Sequence, residues 1–350
     1  MAETIDLSQP TLRQFGNNNA HGNLLGIEPY MTPQDYFSSE SFYKKLNSYL
    51  LTAQREQWLN AKTIVVFPEY LGSWLVLAGE PEKIYQSTSL ESAERALALH
   101  HLLNFIIHFI ASSEKGKAEA AFFRMKSKQM AEIYQHVFSR LSREYEVTIV
   151  AGSIVLPAPQ ISNGRLISSE GPLFNSSMVY QPDGTPHLLM IRKVFPTNQE
   201  LPFTQPASIN SIPAFDTPVG RLGVLICADS WYPQAYVPLR DQKIDLLAVP
   251  SYDVFGMENW NRTWPGYNGG EMPTDVNVND VNRIKESEAW YKYSLAGRIR
   301  SSGAKQGINV FLRGRLWDQD FGGWPATVVA GDDVFVEEQT SQAAMFNLWL

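Results

Sequence analysis

The chain has 350 residues, 44% hydrophobic and 19% charged, a balance that supports a large folded core and excludes a disordered polymer. Its formal charge of -7 is spread without a basic run. That excludes the electrostatic footprint of a nucleic-acid binder and leaves a small neutral or polar ligand as the expectation. The single cysteine, Cys227, excludes an internal disulfide framework and a thiolate metal cluster, so it is either a buried filler or a reactive thiol.

Residues 1–22 read as a polar arm. They carry no basic segment followed by an apolar one, so no secretory signal is expected and a cytoplasmic location is the default. LLGIEPYM then reads as a strand, followed by helical spacing of Phe42, Leu46, Tyr49, Leu50 and Ala53, and by a second strand, TIVVFPEY. Its run Ile64, Val65, Val66 lacks alternation, as expected of a strand covered on both faces.

Two helices follow, at about 90–112 and 117–144, the second with a stripe of Met130, Ile133, Val137 and Leu141. The run ALALHHLLNFIIHFIA in the first is too short to span a bilayer and is broken by His100, His101, Asn104 and His108. A core or interface helix is expected, without stable membrane insertion. His101 and His108 stand two turns apart, and no HExxH, CxxC or phosphate-cradling glycine loop occurs, so no metal and no nucleotide cofactor is expected. His100 and His101 are expected to pack inside this block.

VTIVAGSIVL is the next strand, and FNSSMVYQPDGTPHLLMIRK a hairpin turning at Pro182, Asp183 and Gly184. RLGVLICAD and IDLLAVPS read as buried strands flanking one short helix; a helix near Glu286–Arg300, the strand INVFLRG and the pair ATVVAGDD/VFVEE close the chain. With no repeat or linker inside 23–350, one α/β domain with packed sheets and outer helices is the economical architecture.

Chemistry in such folds gathers where strands end. Cys227 sits where an apolar strand meets the polar Ala228, Asp229 and Ser230; backbone amides at a helix start there are expected to lower the thiol pKa and to bind an oxyanion. Glu69 and Lys193 end two other buried strands, where a charge is costly unless paired or used. Taken singly, each has a plain alternative: inert buried thiol, structural ion pair, or solvated carboxylate.

Together, VVFPEY, IRKVFP and GVLICADSWYP, in this order, resemble the glutamate, lysine and nucleophile motifs of the nitrilase, or carbon–nitrogen hydrolase, superfamily. The likeness spans nearly all of 23–350, with VAGSIV, FNSSMVYQPDG and IDLLAVPS as supporting blocks and the Lys193-to-Cys227 separation near the usual one. It implies a four-layer α-β-β-α sandwich with a helical insertion at about 75–145 and a long loop at about 251–285. It implies hydrolysis of a non-peptide carbon–nitrogen bond through a thioester on Cys227, Glu69 as general acid and base, Lys193 and the N–H of Ala228 at the oxyanion, and Trp231 at the substrate. Glu200 stands where many members have a second glutamate that orients substrate or assists proton transfer; a solvated loop carboxylate is its alternative.

The resemblance also implies a small-molecule amide or nitrile as partner and a homodimer or larger homo-oligomer. Departures are the longer step from Glu69 to Lys193, the lengthening after Ser251, and Gln234 where many members have glutamate. CADSWYP lacks the Cys-Trp-Glu pattern common in nitrilases, which favours amides. An amide-forming acyltransferase, its acyl chain held by the apolar insertion, and a catalytically silent scaffold remain the alternatives. Trp260, Trp264 and Tyr267 form either a lid over the pocket or ordinary aromatic packing, and Asp229 is expected to cap the following helix.

Overall fold

The computed structural model describes residues 6–253, 260–322, 324–336 and 340–350. Part of the expected long loop and the end of the VFVEE segment lie outside them. In chain order the layers are built from β1 (Thr11–Phe15), β2 (Asn23–Glu28), α1 (Ser39–Arg55), β3 (Thr63–Val66), α2 (Leu90–His100), α3 (Leu102–Ala111), α4 (Lys117–Tyr145), β4 (Thr148–Pro157), β5 (Leu173–Tyr180) and β6 (Ile191–Arg192). The second half supplies β7 (Ala214–Thr217), β8 (Gly220–Val224), α5 (Pro233–Asp241), β9 (Leu246–Ser251), α6 (Glu286–Tyr293), α7 (Leu295–Arg298), β10 (Gln306–Phe311), β11 (Thr327–Ala330), β12 (Asp333–Val336) and β13 (Ala344–Trp349).

One seven-stranded sheet has the order β1-β13-β2-β3-β4-β5-β6, and one six-stranded sheet the order β7-β8-β9-β10-β11-β12. Each has a parallel centre, β2-β3-β4 in the first and β8-β9-β10 in the second. The period-two geometry of a strand sends successive side chains to opposite faces, and here that alternation divides three cores. Leu24, Ile64 and Val66 of the first sheet meet Leu222, Val224, Ala248, Ile308 and Val310 of the second. Leu25, Val65 and Ile149 face the opposite way, onto α1 and α4, whereas Leu225, Leu247 and Val249 face α5 and α7. The result is the expected four-layer α-β-β-α sandwich.

Gly26 shows how closely the two sheets approach. A Cβ there would lie 2.4 Å from Ile308 Cδ1 and 2.6 Å from Val310 Cγ1, so only a residue without a side chain fits.

Three expectations are corrected or sharpened. Within the supposed polar arm, Thr11–Phe15 pairs in parallel with Ala344–Leu348 of β13 and so extends the first sheet, because β13 would otherwise leave its outer edge unpaired. The block at 75–145 is not uniform: α4 buries Met130, Tyr134, Val137, Phe138 and Leu141 in the outer helical layer, with Ile133 only half-buried, while α2 buries only Ala93 and Leu97 in the same core and α3 packs on α4 without burying a residue. Of the apolar run, Leu97 in α2 is core, but the part in α3 is not, since α3 buries no residue and leaves Leu103 77% and Ile110 72% exposed. The helix meets the rest of the protein on the side of Phe105 and His108, with Phe105 against Phe122 of α4.

Candidate active site

The glutamate loop is aimed by an irregularity in β4. Pairing of β4 with β5 shifts between Val150 and Ser153, and Gly152 there has φ +72°. A Cβ on Gly152 would sit 2.2 Å from the Pro68 carbonyl oxygen, so glycine lets the chain after β3 lie against β4. Ser153 Oγ then accepts the Tyr70 N–H at 2.8 Å, which holds Glu69 between two anchored neighbours. Lys193 follows β6 directly, its N–H donating to the Asn175 carbonyl at 2.9 Å. Cys227 follows β8 at φ +68°, an uncommon conformation for a non-glycine residue that the surrounding packing must hold.

These three loops bring four of the expected residues together. Lys193 Nζ donates to Glu69 Oε1 at 2.7 Å and to Glu200 Oε2 at 2.6 Å. The Cys227 thiol lies within hydrogen-bonding reach of Glu69 and donates to the Tyr252 carbonyl at 3.7 Å. All four groups are buried, with residue exposures of 1% for Glu69, 2% for Lys193, 4% for Glu200 and 6% for Cys227. Glu200 is therefore no solvated loop carboxylate.

The two carboxylates differ in their surroundings. Burial favours protonation of Glu200, but Lys193, the Thr197 N–H and Asn175 outweigh it and hold its pKa below the usual range. Glu69 is raised to about 7, first by burial, against which Lys193 pulls, and further by the negative charge of Glu200. Burial likewise opposes charge on Lys193, yet Glu200 and Glu69 overcome it and keep the ammonium protonated far beyond its ordinary range. The expectation of a lowered thiol pKa is overturned: burial, and then the charge of Glu69, push Cys227 up despite Lys193. The turn Cys227–Trp231 is a single five-residue 3-10 segment, too short for an appreciable dipole.

Two participants escaped the sequence reading. Asn175 of β5 donates from Nδ2 to Glu69 Oε1 at 2.8 Å and to Glu200 Oε1 at 2.9 Å, and Tyr70 donates its hydroxyl to Glu200 Oε1 at 2.8 Å. Asn175 carried a signal, a polar amide in an otherwise buried strand that must find partners. Asp229 does not cap the following helix, whose start carries no side-chain cap; its carboxylate accepts from the Ile226 N–H, from Val194 N–H at 3.0 Å and from Phe195 N–H at 2.7 Å, tying the lysine loop to the nucleophile turn.

A cavity of about 530 Å³ opens over Glu69, Lys193, Glu200 and Cys227, and Ala228 and Trp231 contribute to its wall. Trp231 packs against Trp264, Tyr267 and Trp290. Trp260 and Trp264 are buried packing residues, while Tyr267 lines the cavity. Gln234 is exposed on α5, away from the cavity.

Among the described residues, one group has metal-ligand types within reach of one another, Glu80, His100 and His101. The Glu80 carboxylate already receives the Lys126 ammonium, and both its oxygens lie 3.0 Å from His101 Nε2. A resident cation thus stands where a metal would, and His100 is exposed rather than packed inside.

The carbon–nitrogen hydrolase family profile matches residues 30–268. No curated protein sequence matches the chain. Among solved structures, an amidase from Nesterenkonia sp. is 13% identical, with 94% of this chain and 90% of that one covered at a TM-score of 0.53. A variant of the Nesterenkonia sp. AN1 amidase in which acrylamide has added at the active-site cysteine is 12% identical, covering 93% and 91% at a TM-score of 0.52. A carbon–nitrogen hydrolase from Helicobacter pylori G27 is 16% identical, covering 93% and 88% at a TM-score of 0.53.

Proposed function

Because the chain belongs to the carbon–nitrogen hydrolase family, we propose that it hydrolyses an amide through a thioester on Cys227. The observation that carries this reading is the sharing of one buried ammonium, Lys193, by Glu69 and Glu200 beside the chain's only thiol. An ion pair serving stability alone has no need of a cysteine at a cavity wall.

Cys227 Sγ attacks the carbonyl carbon while its proton passes to Glu69. A thiol with a raised pKa rests protonated, so transfer and attack are coupled, and a carboxylate poised near neutrality is the matching base. The oxyanion is stabilised by the Lys193 ammonium and the Ala228 N–H. Collapse breaks the C–N bond, Glu69 returns the proton to the leaving nitrogen, and the acyl group stays on sulfur. Water then gives its proton to Glu69 and attacks the thioester; the acid departs and the thiolate recovers the proton.

Glu200 and Asn175 hold Lys193 and Glu69 in place, and Trp231 forms a wall beside the reacting carbon. The neighbouring amidase with acrylamide on its active-site cysteine supports a nucleophilic cysteine in this fold.

Ammonia release from a panel of primary amides and nitriles tests the proposal. The wild type should turn over amides, Cys227→Ala should lose at least a thousandfold, and mass spectrometry of rapidly quenched wild type should find an acyl adduct on Cys227 that Glu69→Gln, without its base, fails to form. Ammonia release that survives in Cys227→Ala rejects the mechanism, and transfer to amines without hydrolysis favours the acyltransferase.

A further inference from the structure

The catalytic groups occupy one end of the cavity. Beyond them its wall continues along Trp74 and Leu77, the inward side of α2 at Ala93 and Leu97, and the first turns of α4 at Phe122 and Phe123. The positions of α2 that turn inward, Leu90, Ala93 and Leu97, follow helical spacing, and Ala93 and Leu97 are buried. The helix is fixed at its start: Ser89 Oγ accepts the Ser92 N–H, and the Leu90 N–H donates to Asp318 Oδ1 at 2.8 Å. The apolar arm is thus built from anchored elements.

Charged side chains on this side of the cavity, Glu94 and Glu119, are exposed. Both carboxylates also line the cavity, where partial burial raises the pKa of Glu94 above its ordinary value; the rest of the arm presents apolar surface to whatever lies in it. A pocket of this kind recognises a neutral apolar group, while a few convergent polar groups fix the reacting end. At about 30 Å³ per water-sized group, the cavity of about 530 Å³ has room for roughly 18 such groups, several-fold what acetamide fills and more than an amide with a chain of roughly six to ten carbons needs.

Resting on the amidase reading above, we propose that the substrate is an amide bearing a neutral apolar chain or ring, seated against α2 and α4 while the amide lies at Cys227. Either the acyl or the nitrogen side of the amide can carry that group, and the test separates them. Transfer of each methylene from water into such a pocket strengthens binding by about fourfold at full burial, so a threefold gain per carbon is the working expectation.

Two measurements test it. In wild type, kcat/KM is compared for acetamide, butyramide, hexanamide and octanamide, and for N-butyl- and N-octylacetamide. In Cys227→Ala, binding of the same amides is followed by tryptophan fluorescence, so that binding is read without turnover. The expected result is about threefold per added carbon along one of the two series in both measurements. Ala93→Phe, which fills the arm, should cost octanamide or its N-alkyl counterpart at least tenfold and leave acetamide within about twofold; Leu97→Asn should do the same without adding volume.

Chain-length dependence of binding without any Cys227-dependent turnover rejects the hydrolase reading but keeps the apolar arm. Turnover and binding that are flat across both series overturn the arm and leave the hydrolase reading standing. The wild-type series decides even if both variants fold poorly.

Discussion

At the scale of single residues, the site separates two carboxylates that share one lysine. Glu200 accepts from four donors and stays an anion; Glu69 accepts fewer and is raised to about 7 by burial. Below that pH Glu69 takes up a proton and can no longer receive one from Cys227. For an uncharged amide, kcat/KM should therefore fall about tenfold per pH unit on the acid side of an apparent pKa near 7. Stopped assays from pH 5 to 9 check this. Asp229, also raised to about 7 by burial, gives a control: Asp229→Asn should lower the rate by disturbing the lysine loop yet leave the acid limb in place. A limb that vanishes in that variant would assign it to Asp229 instead. Glu69, Lys193 and Cys227 were legible because charged and nucleophilic residues at the tips of apolar strands are conspicuous, and Glu200 only through the family resemblance, since it stands in a loop. Asn175 and Tyr70 were not, because a polar side chain next to a motif reveals nothing of its partner until distant strands are paired.

At the scale of elements, the bulge in β4 does for Glu69 what the left-handed turn does for Cys227: it fixes a side chain by constraining the backbone next to it. Gly152→Ala places a Cβ against the Pro68 carbonyl and forces a left-handed conformation on alanine. The backbone alone costs about 1–2 kcal/mol. Displacement of Glu69 by about 1 Å should lower kcat about a hundredfold. Urea denaturation together with turnover checks both; full activity in a merely destabilised variant would show that the bulge does not aim the glutamate. Strands and their order could be read from apolar runs, and α4 from its stripe. The run through α3 was misplaced, because apolar content does not tell which side of a helix finds a partner: Phe105 and His108 are half-buried while Leu103 and Ile110 face out.

At the scale of the whole molecule, Glu69 and Lys193 belong to one sheet and Cys227 to the other, so the site exists only when the two are packed in register. Arg313 and Glu28 help to hold that register at one end of the sandwich. Both are fully buried and form an ion pair; Glu28 Oε1 also accepts the Phe311 N–H at 2.8 Å at the end of β10, and Arg313 Nη1 donates to the Thr340 carbonyl at 2.9 Å ahead of β13. Arg313→Met leaves a buried carboxylate uncompensated and should cost about 3–5 kcal/mol, seen as a lower urea midpoint. Adding Glu28→Gln should restore part of that loss, and a double variant no better than the single would count against the pair.

The four layers and Glu200 came from the family resemblance; by itself the sequence determined one α/β domain of packed sheets and outer helices, through apolar runs and helical stripes, and it marked Glu69, Lys193 and Cys227 by their position at strand ends. These are local properties: each depends on a few neighbouring residues and on whether a charge stands beside an apolar run. Tertiary structure alone decided which groups share Lys193, why the thiol is raised rather than lowered, and that α2 and α4 wall an apolar arm of the cavity. Charge balance and cavity shape depend on side chains brought together from opposite ends of the chain, and burial multiplies interactions that water would screen.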